Sequence, residues 1–205
     1  MTKMMKLFTF ACMSVLLTGP LARPLFANEP STDDAAKKQE MMETWKKYST
    51  PGKGHKIFAS MVGKWKYTSR MWESAEAKPE ESTGTSTMKT IMGGRFLQHD
   101  TKGKAMGMPF DGMGIMGYDT VKESYDSLWL DSMSTGMMRG TGTFDDATQT
   151  LKDSGSFSCP MAKDKVMTFR SEWKITDKNN MVYTMWTPDK DGKEFKMMEI
   201  TYKRK

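Results

Sequence analysis

Lys165-Val166-Met167-Thr168-Phe169-Arg170-Ser171-Glu172-Trp173-Lys174-Ile175 alternates along its whole length. Met167, Phe169, Ser171, Trp173 and Ile175 fall on one face of an extended chain; Val166, Thr168, Arg170, Glu172 and Lys174 fall on the other. A period of two with one apolar and one wet face marks a half-buried strand, because successive side chains of a strand point to opposite sides. The period recurs around Trp65 to Trp72, Tyr125 to Ser132, Met181 to Trp186 and Phe195 to Tyr202. Turn clusters such as Asp145-Asp146, Asp177 to Asn180 and Asp189 to Gly192 separate these stretches. About ten candidate strands follow from Gly63 onward, with no crossover helix between them. Short connections favour antiparallel pairing, and closure removes exposed sheet edges. The expected fold class is all-β, a closed antiparallel barrel of about ten strands.

Outward from that region, the first residues have a different grammar. Lys3 and Lys6 form a basic start, Leu7 to Leu17 an apolar run, and Leu25-Phe26-Ala27 ends on a small residue. This is the pattern of a secretory signal peptide, expected to cover residues 1–27. The apolar run is too short to span a bilayer, and no later segment approaches the roughly 20 apolar residues a membrane helix needs. The expected localisation is therefore exported, periplasmic or extracellular. Cys12 would leave with the signal peptide, so Cys159 has no partner for an internal disulfide. Lys3, Lys6 and Arg23 would leave too, with no acid, so the net charge of +6 becomes +3. That small, evenly spread charge gives no ground for expecting nucleic acid as a partner.

Residues 28–34 read as a flexible leader, and residues 35–48 as a helix with Met41, Met42, Trp45 and Tyr48 at helical spacing, expected to form a packing face. Pro51 ends it, because the residue before a proline is pushed away from helical geometry. The expected organisation is thus a signal peptide, a short leader and one domain over 35–205, helix included.

Gly63-Lys64-Trp65 is the first specific clue to the kind of barrel. A tryptophan there lies across the closed end of a lipocalin-like barrel, and a basic residue of the last strand covers it. Arg204 in Tyr202-Lys203-Arg204 is suitably placed, and a guanidinium over an indole is a favourable contact. Gly63, Trp65 and Arg204 are the expected closure.

The motifs run in order: Trp45, Pro51-Gly52, His55, Gly63-x-Trp65, Gly93-Gly94-Arg95-Phe96, Met106-Gly107-Met108-Pro109-Phe110-x-Gly112, Gly117-Tyr118-Asp119, Trp129-x-Asp131-Ser132, Ser134-Thr135-Gly136 and Tyr202-x-Arg204. In that order, over roughly Met41 to Lys205, the chain resembles a bacterial domain-of-unknown-function family, DUF1579. The resemblance implies a calycin-like barrel and brings no established reaction, substrate or catalytic residue. Some barrels related at the level of fold, nitrobindin-like proteins among them, bind haem through a histidine. Here His55 and His99 both lie away from the last strands, and no cofactor is expected.

Gly93-Gly94 suits a tight hairpin requiring positive φ. Met106 to Gly117 has two readings: architecture, with glycines serving bends or close backbone approach, or a mobile portal loop lined by adaptable methionines. Of the 23 methionines, Met1, Met4, Met5 and Met13 fall in the signal peptide, leaving 19. Thioethers are soft ligands, so Met106-x-Met108 and Met113-x-x-Met116 raise periplasmic Cu(I) binding as a minor alternative, against the reading of methionine as core filler.

No Gly-x-Ser-x-Gly elbow, His-Glu-x-x-His helix, phosphate loop or dinucleotide fingerprint is present. His99-Asp100 are adjacent in a strand and face opposite sides, so they form no dyad. Catalysis thus has no positive support in the sequence, and no metal site is expected. Two classes remain: a barrel holding a small apolar molecule, or a filled structural or interaction barrel with no ligand. In the first, Arg95, His99, Asp131 and Arg170 would orient the molecule and Met106, Met108 and Trp129 complete the candidate binding set. Oligomeric state is left open.

Overall fold

The computed structural model describes residues 32–162 and 164–205. The expected signal peptide, residues 1–27, and leader residues 28–31 lie outside the described residues. Helix α1 spans Thr32–Ser49, three residues ahead of the expected start, with Asp33 and Asp34 in its first turn, where carboxylates complement the helix dipole. The unit from Glu43 to Lys205 contains the end of α1, a 3₁₀ turn at Lys53–His55, helix α2 (Lys56–Met61) and the strands.

Ten strands close into one antiparallel barrel: β1 (Gly63–Met71), β2 (Glu80–Ile91), β3 (Phe96–Ala105), β4 (Met108–Asp119), β5 (Ser124–Asp131), β6 (Met138–Asp145), β7 (Thr150–Ser158), β8 (Val166–Asp177), β9 (Asn180–Pro188) and β10 (Glu194–Arg204). Each pairs with its neighbours in sequence, and β1 pairs with β10. The chain therefore needs only hairpins plus one long closure. The helical and β signals separate cleanly at Gly63, as the alternation predicts.

The closure is Trp65 opposite Arg204 in the β1–β10 register. The guanidinium carbon sits 4.1 Å from the centre of the indole ring. Arg204 also donates to three backbone carbonyls, Val62 at 2.6 Å, Lys178 at 2.7 Å and Ser60 at 3.0 Å, while Trp65 Nε1 donates to Met61 O at 2.9 Å. These bonds tie the last strand, α2 and the β8–β9 turn to the first strand. Gly63 has φ +145, and a Cβ there would collide with the Arg204 guanidinium, so two constraints select glycine.

Beneath this latch, Ile57, Phe58 and Met61 of α2 plug one end and pack with Leu97, Leu151, Met181 and Tyr125. The Tyr125 hydroxyl donates to Gly54 O at 2.6 Å, and burial pushes its pKa up to about 12. His55 Nδ1 accepts from Gly52 N–H at 3.1 Å, a turn-capping role. With one end filled by side chains, any cavity must open at the other.

One expectation is corrected, and one choice between two readings is decided. Met41, Met42, Trp45 and Tyr48 do not form a buried face on α1; Trp45 is 74% exposed. Charged residues on every side of that helix leave no continuous apolar stripe to bury. Of the two readings of Met106 to Gly117, the structure has the architectural one and no portal loop. Met106 and Gly107, both at positive φ, make a two-residue hairpin, and β4 is then paired on both sides with unbroken register. Gly112 and Gly114 are inward positions vacated for the Trp129 ring, and Gly117, on the opposite face, lies under Phe96.

Candidate functional site

A cavity of about 380 Å³ occupies the barrel interior above the plug. Strand phase decides what faces it. Counting in twos from Trp65 turns Tyr67, Ser69 and Met71 inward; counting back from Arg204 turns Tyr202, Ile200 and Met198 inward beside them. On β3 the inward residues are Leu97, His99 and Thr101. Trp129 and Asp131 come from β5, Asp153 from β7, Ser171 and Trp173 from β8, and Tyr183 and Met185 from β9.

His99 stands at the centre of an aromatic enclosure, its ring 5.5 Å from Trp129, 5.7 Å from Trp173 and 6.0 Å from Tyr202, centre to centre. Its Nε2 shares a hydrogen bond with Thr101 Oγ1 at 2.9 Å. Burial drops its pKa to about 4, against a small opposing pull from Asp100, so the imidazole is neutral at neutral pH. Trp129 is held in turn: its Nε1 donates to Asp131 Oδ2 at 2.9 Å, and Phe110 stacks on its ring. Asp131 also accepts from Met133 N–H at 2.9 Å, which makes it the anchor of the following turn.

A second polar point lies on the β5–β7–β8 wall. Ser127 Oγ donates to Asp153 at 2.9 Å, and Ser171 Oγ donates to its other oxygen. Burial pushes the Asp153 carboxyl up, against the two hydroxyl bonds that favour its charged form. Burial likewise raises Tyr183 and Tyr202. Lys104, from the end of β3, is the cationic side chain lining the cavity; the rest of the lining is neutral apart from Asp131 and Asp153.

The seven residues singled out in the sequence divide accordingly. His99, Trp129, Asp131 and Met106 line the cavity, and Met108 stands at the hairpin beside its mouth. Arg95 and Arg170 do not reach it. Arg95 sits in the β2–β3 turn at the plugged end, where it donates to Met92 O at 3.0 Å. Arg170 occupies an outward position of β8, paired to Glu194 at 2.7 Å through two nitrogens and laid over Trp186 at 3.7 Å. Both arginines already have solvated partners, and an unpaired guanidinium inside would carry a large desolvation cost. Met113 and Met116 fall on opposite faces of β4, as positions three apart in a strand must, so they cannot share a metal ion. Among the described residues, no group of three or more His, Cys, Asp or Glu is arranged to hold a metal.

Sequence reading missed Tyr67, Tyr202, Asp153 and Trp173 as cavity residues. The first two were within reach, because they share the phase of Trp65 and Arg204. Asp153 gives no such signal, lying in a polar run, Lys152-Asp153-Ser154, whose inward face is set only by pairing. The methionines scattered along the chain also converge: eleven of them line the cavity.

Solved structures share the fold. Rv2717c from M. tuberculosis superposes with a TM-score of 0.58 at 13% identity, covering 76% of this chain and 99% of its own. The S-type phycobiliprotein lyase CPES from Guillardia theta gives a TM-score of 0.51 at 12% identity, covering 73% of this chain and 90% of its own. At such identities the likeness is one of fold. No curated protein matches the chain. The motif order and the barrel closure agree with what the family comparison finds over residues 50–204: the chain belongs to the family described as Protein of unknown function (DUF1579).

Proposed function

We propose that this protein is an exported carrier or sensor that holds one small, mostly apolar molecule inside its barrel. The supporting observation is the cavity itself: about 380 Å³, plugged at one end, walled by aromatic rings and thioethers, with few polar groups, among them the ionisable Lys104, Asp131 and Asp153. Sites for small molecules are concave, mainly apolar and furnished with few polar groups, and they start at roughly 300 Å³. A purely structural barrel gains nothing from leaving such a space, since each unfilled region forfeits packing contacts. Export rests on the basic, apolar and small-residue order of residues 1–27.

Native mass spectrometry of the protein purified from its own cell envelope without detergent tests the carrier reading. A co-purifying small molecule, released when the barrel is unfolded, is expected. A barrel that emerges empty and takes up no apolar fluorescent probe overturns the reading. N-terminal sequencing of the same sample tests export, with a start near Asn28 expected and an intact Met1 terminus counting against it.

A further inference from the structure

The plugged end, the outer arginine pairs and the turn at Asp131 all have internal partners, but several polar groups inside the cavity do not, two phenols and an imidazole nitrogen among them. Tyr67, Tyr202 and His99 are 6%, 3% and 7% exposed. Among the described residues, neither phenol oxygen nor His99 Nδ1 has a hydrogen-bond partner, and none of the three is sealed off like Ser86 Oγ, since all three residues line the cavity. Polar groups on a cavity wall that the protein leaves unpaired bond to whatever fills the cavity, water or ligand, and several on one wall mark a polar subsite.

Their arrangement narrows what that is. Tyr67 and Tyr202 are directly opposed across β1 and β10, with ring centres 6.0 Å apart. Both side chains face β3, at positions four residues apart. The Tyr67 hydroxyl packs against the missing side chain of Gly103, and the Tyr202 ring meets His99 at 6.0 Å. Neutral phenols donate, so the cavity wall presents two O–H donors and, beside the Tyr202 ring, an imidazole nitrogen that donates or accepts according to its tautomer. Around them, Trp129, Trp173 and the thioethers of Met88, Met116 and Met185 form polarisable walls that favour a flat π-system over a saturated chain. A carboxylate ligand would find no cation beside it at this depth, because Lys104 comes from the open end of β3.

We propose that the cavity takes a neutral, planar conjugated dicarbonyl compound of the quinone class, whose carbonyl oxygens accept hydrogen bonds from the Tyr67 and Tyr202 hydroxyls. The proposal rests on the carrier reading and assigns its ligand class. It involves binding alone, with no bond made or broken.

Titration calorimetry with two probes of matched shape tests it: 2,3-dimethyl-1,4-naphthoquinone, and 2,3-dimethylnaphthalene, which lacks the carbonyls. The quinone has no free ring position next to a carbonyl, so it forms no adduct with Cys159 at the cavity. The quinone is expected to bind at least about fivefold more tightly than the hydrocarbon, and Tyr67→Phe and Tyr202→Phe each to weaken it about fivefold, the worth of one hydrogen bond. Hydrocarbon affinity should stay unchanged in both variants, which also shows that the cavity has kept its shape. The infrared carbonyl band of the bound quinone should lie below its position in hexane and move back towards it in each variant. Equal affinities for the two probes, or quinone binding indifferent to both substitutions, overturns carbonyl recognition while leaving the carrier reading standing. If neither probe binds, the quinone assignment falls, and the carrier reading falls with it only if the barrel also emerges empty from its own envelope.

Discussion

Ser86 Oγ is the fully enclosed side-chain oxygen without a partner among the described residues. It sits on β2 between Trp65 and Thr101, outside the cavity lining, where a hydroxyl contributes nothing to packing and has lost its water. Ser86→Ala is therefore expected to leave stability unchanged or raise it by about 1 kcal/mol, read from the urea midpoint. A loss above that range would show that the hydroxyl has a partner after all. His99 carries a pH dependence of definite sign. Its folded pKa of about 4 lies below the 6.5 of an exposed imidazole, so the folded state resists protonation that the unfolded chain accepts. Its contribution is intact above pH 6.5 and is lost as pH falls towards 4, by about 3 kcal/mol in all. Asp153 works in the opposite sense. Its raised pKa lets the folded state take up a proton first, so stability returns as pH falls through its titration. The difference in unfolding free energy between the parent and His99→Gln isolates the histidine: it should vary across pH 4 to 6.5 and be flat above it. A difference that is flat throughout would mean that His99 is not buried as a neutral group.

Among the elements, the β1–β10 seam carries the closure and is the part most legible in the sequence. Gly63, Trp65 and Arg204 are legible there because the Gly-x-Trp start and the terminal basic residue resemble the closure of lipocalin-like barrels, and a guanidinium suits an indole; the positive φ of Gly63 is visible only in the structure. The guanidinium also holds three carbonyls of separate segments, and the sequence shows none of that. Arg204→Ala should cost about 2–4 kcal/mol, the sum of a desolvated cation–π contact and carbonyls left without their donor. Arg204→Lys should recover only part, because an ammonium lacks the planar fork that reaches several carbonyls at once. Equilibrium urea unfolding of the three proteins orders them; equal stability of the alanine and parent proteins would remove the latch from the account. Strand alternation was equally readable in β8, where both faces are marked. It failed in β4 and β7 for one physical reason. Gly112, Gly114 and Gly155 are inward positions with no side chain, and Asp153 is an inward position with a polar one. Phase there is fixed by the partner strand, not by the strand's own composition. Arg95 and Arg170 went wrong differently: a charged residue near apolar ones says nothing about which face of a strand or which end of a barrel it takes.

For the molecule as a whole, the methionines supply a built-in footprint of occupancy. Thioether oxidation by peroxide follows exposure, and here the residues form distinct sets. Met106, 62% exposed, and Met137 stand at the cavity mouth and line it, while Met88 and Met185 are buried deeper in the same cavity. Met161, 90% exposed, and Met92, in the turn at the plugged end, lie outside it. With the barrel empty, peroxide should convert Met161, Met92, Met106 and Met137 first, followed slowly by the deep pair as water enters. With 2,3-dimethylnaphthalene bound, the deep pair should be protected most and the mouth pair severalfold, while Met161 and Met92 keep their rates. Those last two respond to peroxide but not to the cavity, so they correct for any change in reagent. Peptide mass spectrometry over a time course reads all six in one sample. Uniform protection would indicate aggregation of the probe. Protection at Met92 with none at Met106 would move the binding site to the plugged end, where Trp45, Tyr48 and Arg95 line a smaller groove. Only loss of reactivity that begins at the mouth and deepens inward is consistent with a molecule held inside the barrel.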